Sequence, residues 1–189
     1  MTRSEHHGAE AFVRALTEVE VRARRVARRL SLADSDGDDL FQEAAIQAFE
    51  KFGDLRDRSR FASWFFAILF RAHRSRARRA ALRRWVSLEV LFGGDEPPSP
   101  FTVGADEALA GAERFRKALA VLSPKAREAI VAFELEGLTL EEMSTMTGES
   151  VGTLKTRLSR ARERLREHYV QTDESIRQDQ ERLAPGSSR

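Results

Sequence analysis

Between residues 40 and 52 the apolar side chains fall at Leu40, Phe41, Ala44, Ala45, Ala48, Phe49 and Phe52. That three-and-four spacing builds one continuous face on a helix. Phe12, Val13, Leu16, Val19, Val26 and Leu30 fit helical spacing upstream, and Leu154, Leu158, Ala161 and Leu165 do so downstream. Little in the chain alternates as a half-buried strand would. Helices laid against helices are what such a pattern can fold into, so an all-α chain is expected.

Local signals divide the helices. Ser35-Asp36-Gly37-Asp38 is expected to stop the first helix and to cap the second. Gly53 is expected to end the second, and a polar loop, Asp54 to Ser59, leads to a third helix starting near Phe61. Phe61, Phe65 and Phe66 are assigned to a core with Phe41, Phe49 and Phe52, while Trp64 is left between core and surface. These helices form an expected first domain, residues 1–84. Residues 85–112 hold Gly93-Gly94, Pro97, Pro98 and Pro100 and are read as a flexible linker. A second domain, 113–170, follows. In it Ser123-Pro124 caps one helix, Gly137 stops it, and Thr139-Leu140-Glu141-Glu142 opens a short helix as a capping box. After the turn Thr147-Gly148-Glu149, Ser150 caps a long helix from Val151 to Tyr169. The polar tail, 171–189, is expected to fray. The fold class is therefore two small helical domains, an N-terminal bundle and a C-terminal helix-turn-helix, joined by a flexible linker.

The charge is segregated, although the net value is only +2. Eight acids lie between Asp34 and Asp57, nine arginines and no acid between Arg58 and Arg84, and five acids with no base between Trp85 and Ala112. Separate patches of opposite sign favour different partners. The absence of cysteine excludes disulfides, thiolate metal sites and cysteine nucleophiles. The longest apolar run, Phe61 to Phe70, contains Ser63 and is far shorter than the roughly 20 residues of a membrane span. Met1 to Glu10 carries no apolar stretch, so neither a signal peptide nor membrane insertion is expected, and a soluble cytoplasmic protein is.

Two constellations carry chemistry. The short helix from Leu140 to Met146, the turn at Gly148 and the long following helix have helix-turn-helix anatomy, which delivers the second helix to the DNA major groove. Lys155, Thr156, Arg157, Ser159 and Arg160 occupy the first turns of that helix. Leu154, Leu158, Ala161 and Leu165 face inward, so Thr156, Ser159 and Arg160 share the outer face with Lys155 beside them, suited to base edges and phosphates. The second constellation interleaves arginine with aromatics: Arg56, Arg58, Arg60, Trp64, Arg71, Arg74 and Arg78. Cations along phosphates and aromatic faces under bases are how unpaired nucleic acid is held.

Asp39-Leu40-Phe41-Gln42-Glu43-Ala44, Phe49, Asp54-Leu55-Arg56 and Phe61-Ala62-Ser63-Trp64-Phe65-Phe66-Ala67-Ile68 resemble the second region of bacterial sigma factors of the extracytoplasmic-function (ECF) class. Leu122-Ser123-Pro124, Arg127-Glu128, Gly137 to Glu142 and Val151 to Arg162 resemble that family's fourth region. The resemblance implies a promoter-specificity subunit of RNA polymerase. By it, Asp39, Gln42 and Glu43 contact the polymerase. Arg56, Arg58, Arg60, Trp64, Arg71, Arg74 and Arg78 take the melted −10 strand, and Lys155, Thr156, Arg157, Ser159 and Arg160 read the −35 duplex. Implied partners are core RNA polymerase, promoter DNA and an anti-sigma factor. The chain departs from the family at Ala67, where arginine is usual, at Arg71, where asparagine is usual, and at Met143-Ser144 in place of isoleucine-alanine.

The rival function is a helix-turn-helix regulator that never joins polymerase. It would need an effector pocket or a dimerisation helix, and the sequence suggests neither. No enzyme is expected: His6 and His7 are terminal, His73 sits among arginines, His168 lies near a helix end, and no metal-ligand spacing, nucleophile elbow or phosphate loop is present, so no cofactor is implied.

Overall fold

The computed structural model describes residues 3–90 and 107–183. Three helices, α1 (Arg3–Ser31), α2 (Asp34–Glu50) and α3 (Phe61–Val90), pack as one bundle. Two short 3-10 turns, Phe52–Asp54 and Arg58–Arg60, lead from α2 into α3. Four helices follow: α4 (Glu107–Ala120), α5 (Pro124–Ile130), α6 (Leu140–Thr147) and α7 (Val151–Leu183). There is no strand among the described residues.

The bundle core is aromatic. Phe12 meets Phe52 with ring centroids 5.2 Å apart at 77°, and Phe52 meets Phe61 at 5.9 Å and 82°. Edge-to-face pairs of this kind add about 0.5–1.5 kcal/mol each beyond the area they bury. Phe65, Phe66, Phe70, Leu40 and Leu69 fill the remainder. Phe49 departs from expectation. Its ring meets Phe12 edge-on with centroids 5.2 Å apart, yet it is 52% exposed, because it lies at the rim of the α2 stripe rather than its centre.

Three boundary expectations are corrected. Ser35 to Asp38 do not stop α1; they form the first turn of α2, whose N-cap position is Ala33 with no side-chain bond. The chain instead reverses at Leu32, in the left-handed region at φ 67°. Gly37 serves the contact between the two helices, since a Cβ there would stand 2.5 Å from Arg28 Cα. Gly53 likewise lies inside a 3-10 turn after α2 has ended. The polar tail is helical as far as Leu183 rather than frayed from residue 171, as Gln171 to Leu183 contains neither glycine nor proline to break it. The helices flanking the expected linker reach into its span, α3 to Val90 and α4 from Glu107, and residues 91–106, with their glycines and prolines, lie outside the described residues.

The C-terminal caps follow the sequence. Ser123 Oγ accepts from the Ala126 amide at 3.4 Å, Thr139 and Glu142 form a reciprocal capping box, and Gly148 closes α6 at φ 73°. Residues Val131–Leu135 widen into a π turn, and Gly137, at φ 66°, lets the Leu138 amide reach back to the Ala132 carbonyl at 3.0 Å.

The two helical halves pack against one another, α6 and α5 on α3 and α5 on α1. Arg127 is the centre of this seam. Its buried guanidinium donates to the carbonyls of Leu30 (2.7 Å), Leu119 (3.0 Å) and Leu122 (3.2 Å). These oxygens belong to the ends of α1 and α4 and to the loop after α4, where helical hydrogen bonding runs out. Burial lowers the Arg127 pKa to about 10. On the far side of the seam, Arg22 and Arg29 both donate to the Glu136 carboxylate, at 2.9 and 3.0 Å, and Arg22 also reaches the Glu136 carbonyl at 2.8 Å.

Candidate nucleic-acid interface

Three surfaces carry the residues singled out by the sequence. On the outer face of α2, Asp39 and Gln42 are exposed, one helical step from Ile46 (61% exposed) and Phe49. Spacings of three, four and three put these four on one line. Glu43 is turned away from that line. It accepts from Arg76 Nε at 2.7 Å and Arg79 Nη2 at 2.9 Å, tying α2 to α3. Burial works against its charge, but the bonds from the two arginines outweigh it and lower its pKa. Phe49 is assigned inward by the apolar stripe and Ile46 falls outside that stripe, so the sequence does not single out either as a surface candidate.

The second surface is a groove of about 700 Å³. One wall comes from the α2–α3 connection and the start of α3, with Arg56, Arg60, Ser63, Trp64 and Ala67. Asp57 holds the connection rigid by accepting from the Ser59 amide at 3.0 Å. Trp64 is half-buried, with its ring 5.8 Å from Phe61 on one side and the groove on the other. It is thus both core support and groove lining. Arg58 is not part of the groove: it donates to the Phe52 carbonyl at 2.6 Å and lies 3.6 Å over the Phe52 ring. Arg71 and Arg78 are exposed farther along α3, whereas Arg74 is largely buried and faces Glu128 at 3.7 Å.

The third surface is α7. Lys155, Thr156, Ser159 and Arg160 are exposed. Thr156 and Arg160 line an open cavity of about 800 Å³ with Arg164, one turn beyond, which the sequence reading passed over. Arg157 borders the same cavity, but its guanidinium is tied down within the protein. Both its terminal nitrogens fork onto Glu149, which also takes Lys125 Nζ at 3.1 Å. The Arg157 bonds lower the Glu149 pKa to about 2. Arg157 therefore locks α7 to the turn before it.

Besides Arg127, Glu128 and His73 are buried at the seam. Burial raises the Glu128 carboxyl to about 7, and its Oε2 has no hydrogen-bond partner. Burial, then the nearby Arg127 and Arg74 charges, lowers His73 to about 4. Among the described residues no cluster of three or more histidine, aspartate or glutamate side chains is placed to hold a metal, and no helix is long and apolar enough to cross a membrane.

Residues 16–84 match the family model for sigma-70 region 2, and residues 112–165 match that for sigma-70 region 4. The ECF RNA polymerase sigma factor SigM of Mycobacterium tuberculosis is 32% identical over 155 residues, covering 81% of this chain and 75% of the relative. The RNA polymerase sigma-E factor of Streptomyces coelicolor is 32% identical over 87% of each chain. The chain is an ECF sigma factor. As such it is a promoter-recognising subunit of RNA polymerase, and a regulator that never joins polymerase is not favoured, since region 2 is present as well as the helix-turn-helix. Among solved structures, the sigma factor RpoE of Bartonella quintana, in complex with the anti-sigma factor NepR, matches with a TM-score of 0.64 and 30% identity over 82% of this chain and 94% of that one. CnrH, in complex with the cytosolic domain of CnrY, shares the fold at a TM-score of 0.60 and 22% identity, over 89% of this chain and 97% of that one. The region 2 match spans most of α1, all of α2 and most of α3, and the region 4 match runs from α4 into α7.

Proposed function

We propose a division of labour among the three surfaces of this sigma factor. The exposed line Asp39, Gln42, Ile46 and Phe49 docks on core polymerase, with Glu43 acting from behind by fixing α2 to α3. Arg56, Arg60 and Trp64 take the unpaired −10 strand, cations along the phosphates and the indole against a base. Arg71 and Arg78 extend that track along α3, while Arg58 shapes the loop and Arg74 faces Glu128. Lys155, Thr156, Ser159 and Arg160 read the −35 duplex, Arg164 adds a phosphate contact, and Arg157 holds the reading helix in place.

Residues 1–84 and 113–170 are the two functional modules and 85–112 the tether between them. The sigma chain itself catalyses no reaction and acts in the cytoplasm, on the nucleoid when engaged with a promoter. An anti-sigma factor is a partner, supported by the complex of the related sigma factor RpoE with the anti-sigma factor NepR. The observation that carries the reading is the placement of Arg56, Arg60 and Trp64 around one groove while a separate helix exposes Lys155, Thr156, Ser159 and Arg160. The test is run-off transcription with core enzyme across a promoter library. Transcripts from a defined −35/−10 pair support it; none from any template, with duplex binding intact, contradicts it.

A further inference from the structure

Apart from the three surfaces, a cavity of about 780 Å³ is bounded by α3, the ends of α1 and α4 and the start of α5. Small-molecule sites run from about 300 to 1,000 Å³. Arg76, Arg79 and Arg83 line it from α3, and spacings of three and four put them on one face of that helix. Ala120, Leu122 and Pro124 line it from the end of α4 and the start of α5. The α3 lining is thus cationic and the α4–α5 lining apolar. Glu43 apart, no residue assigned above to polymerase or to DNA borders this cavity.

Its polar groups are incompletely matched. Four arginines against two acids, Asp36 and Glu43, leave an excess of two positive charges in the lining, because burial lowers His73 to about 4 and keeps it neutral at pH 7. Arg127 is buried against three carbonyls and forms no ion pair among the described residues. Arg83 is exposed and has neither hydrogen bond nor ion pair among them. Arg76 and Arg79 share Glu43, yet each keeps one terminal nitrogen without a partner. His73, 6% exposed, also lines the cavity, and its buried Nδ1 has no hydrogen-bond partner. Buried cations are ordinarily paired and buried polar atoms ordinarily bonded, so what this cavity lacks is an anion with hydrogen-bonding groups of its own.

We infer that this cavity binds a small phosphorylated molecule of the nucleoside di- or triphosphate class, with its phosphates on Arg76, Arg79 and Arg83 and its uncharged body against Ala120, Leu122 and Pro124. Guanidinium forks match phosphate oxygens two at a time. From Arg76 to Arg83 is seven residues, about 10 Å along the helix axis, which a run of phosphates bridges and a single carboxylate does not. Hydroxyls on the body offer the His73 Nδ1 the partner it lacks.

The test is isothermal titration calorimetry of the full chain with ATP at about 0.15 M salt, where exposed charges are screened beyond roughly 8 Å. Saturable binding is expected. Arg83→Ala, which disturbs no internal bond, should weaken it by at least about tenfold. Ala80→Glu adds a carboxylate to the lining and should abolish it. Arg78→Ala removes the same charge from the same helix outside the cavity and should change the affinity by less than about twofold. Tripolyphosphate and adenosine should each bind more weakly than ATP. Absence of saturable binding overturns the inference, as do equal losses in Arg83→Ala and Arg78→Ala, or equal affinity for ATP and either fragment. Loss in Trp64→Ala with none in Arg83→Ala also overturns it, since the nucleotide then sits in the strand groove.

Discussion

Arg127 on α5 and Leu30 at the end of α1 meet at 2.7 Å, guanidinium to carbonyl, across 97 residues of sequence. The same side chain satisfies two carbonyls at the end of α4 and its loop. Arg127→Ala removes the charged donor from three carbonyls, of which Leu119 keeps the Leu122 amide at 3.3 Å, and hydrogen bonds from a charged donor are worth about 1.5–3 kcal/mol each. A loss of roughly 3–5 kcal/mol in urea unfolding is expected. A loss below about 1 kcal/mol would mean that the seam does not form in solution.

Glu128 and His73 make the stability of the seam depend on pH in opposite directions. The Glu128 pKa is raised to about 7 by burial. Its contribution is complete below the unfolded carboxyl pKa and is lost as pH rises through 7. The His73 pKa is lowered to about 4 by burial and by Arg127 and Arg74. Its contribution is complete above the unfolded imidazole pKa and is lost as pH falls through 4. Glu128→Gln should therefore raise the urea midpoint at pH 8 while leaving it little changed near pH 4. An equal shift at both values would show that the carboxyl does not titrate in the fold.

Ile46 and Phe49 are exposed beside Asp39 and Gln42. Phe49→Ala should weaken association with core polymerase by about 1–3 kcal/mol, as a central aromatic contact does. Glu43→Gln should act differently, loosening Arg76 and Arg79 and lowering thermal stability by about 1 kcal/mol. Equal effects of the two substitutions on polymerase affinity, with no change in stability for Glu43→Gln, would place Glu43 on the docking face instead.

Arg157 and Arg160 sit three residues apart on α7 and do different work. Arg160→Ala should cost about 1–3 kcal/mol on the cognate −35 duplex and nothing in stability. Arg157→Ala frees Glu149 and should lower stability first, with duplex affinity falling only as the helix loosens. Gel-shift titrations alongside thermal melts separate the two, and identical profiles would contradict the distinction.

How far the sequence discloses this structure depends on the range of the interaction. Ser123-Pro124, the Thr139–Glu142 capping box and Gly148 act within a turn of their own position and are legible in order. The apolar periodicity gives the helices and their inward faces. Gly37 misleads because a glycine that admits a neighbouring helix looks the same in sequence as one that ends a helix. Leu32 carries the actual reversal in a conformation that leucine rarely adopts. Arg74, Arg127, Glu128, Glu43 and Arg157 were unreadable for a different reason: their partners lie 5 to 97 residues away, and a charge pattern along the chain does not say which groups meet. Of the residues assigned to DNA, Arg58, Arg74 and Arg157 turn out to be bound within the protein or buried at the seam, whereas Arg56, Arg60, Trp64 and the α7 face remain presented.

The most direct measurement compares Trp64→Ala and Arg160→Ala on two templates with core polymerase, one a fully paired promoter and one already unpaired through its −10 element. If the groove captures the unpaired strand and α7 reads the paired one, Trp64→Ala loses transcription on the paired template and regains much of it on the unpaired one, while Arg160→Ala is impaired on both. Equal loss for Trp64→Ala on the two templates would show that the indole serves only the core of the bundle.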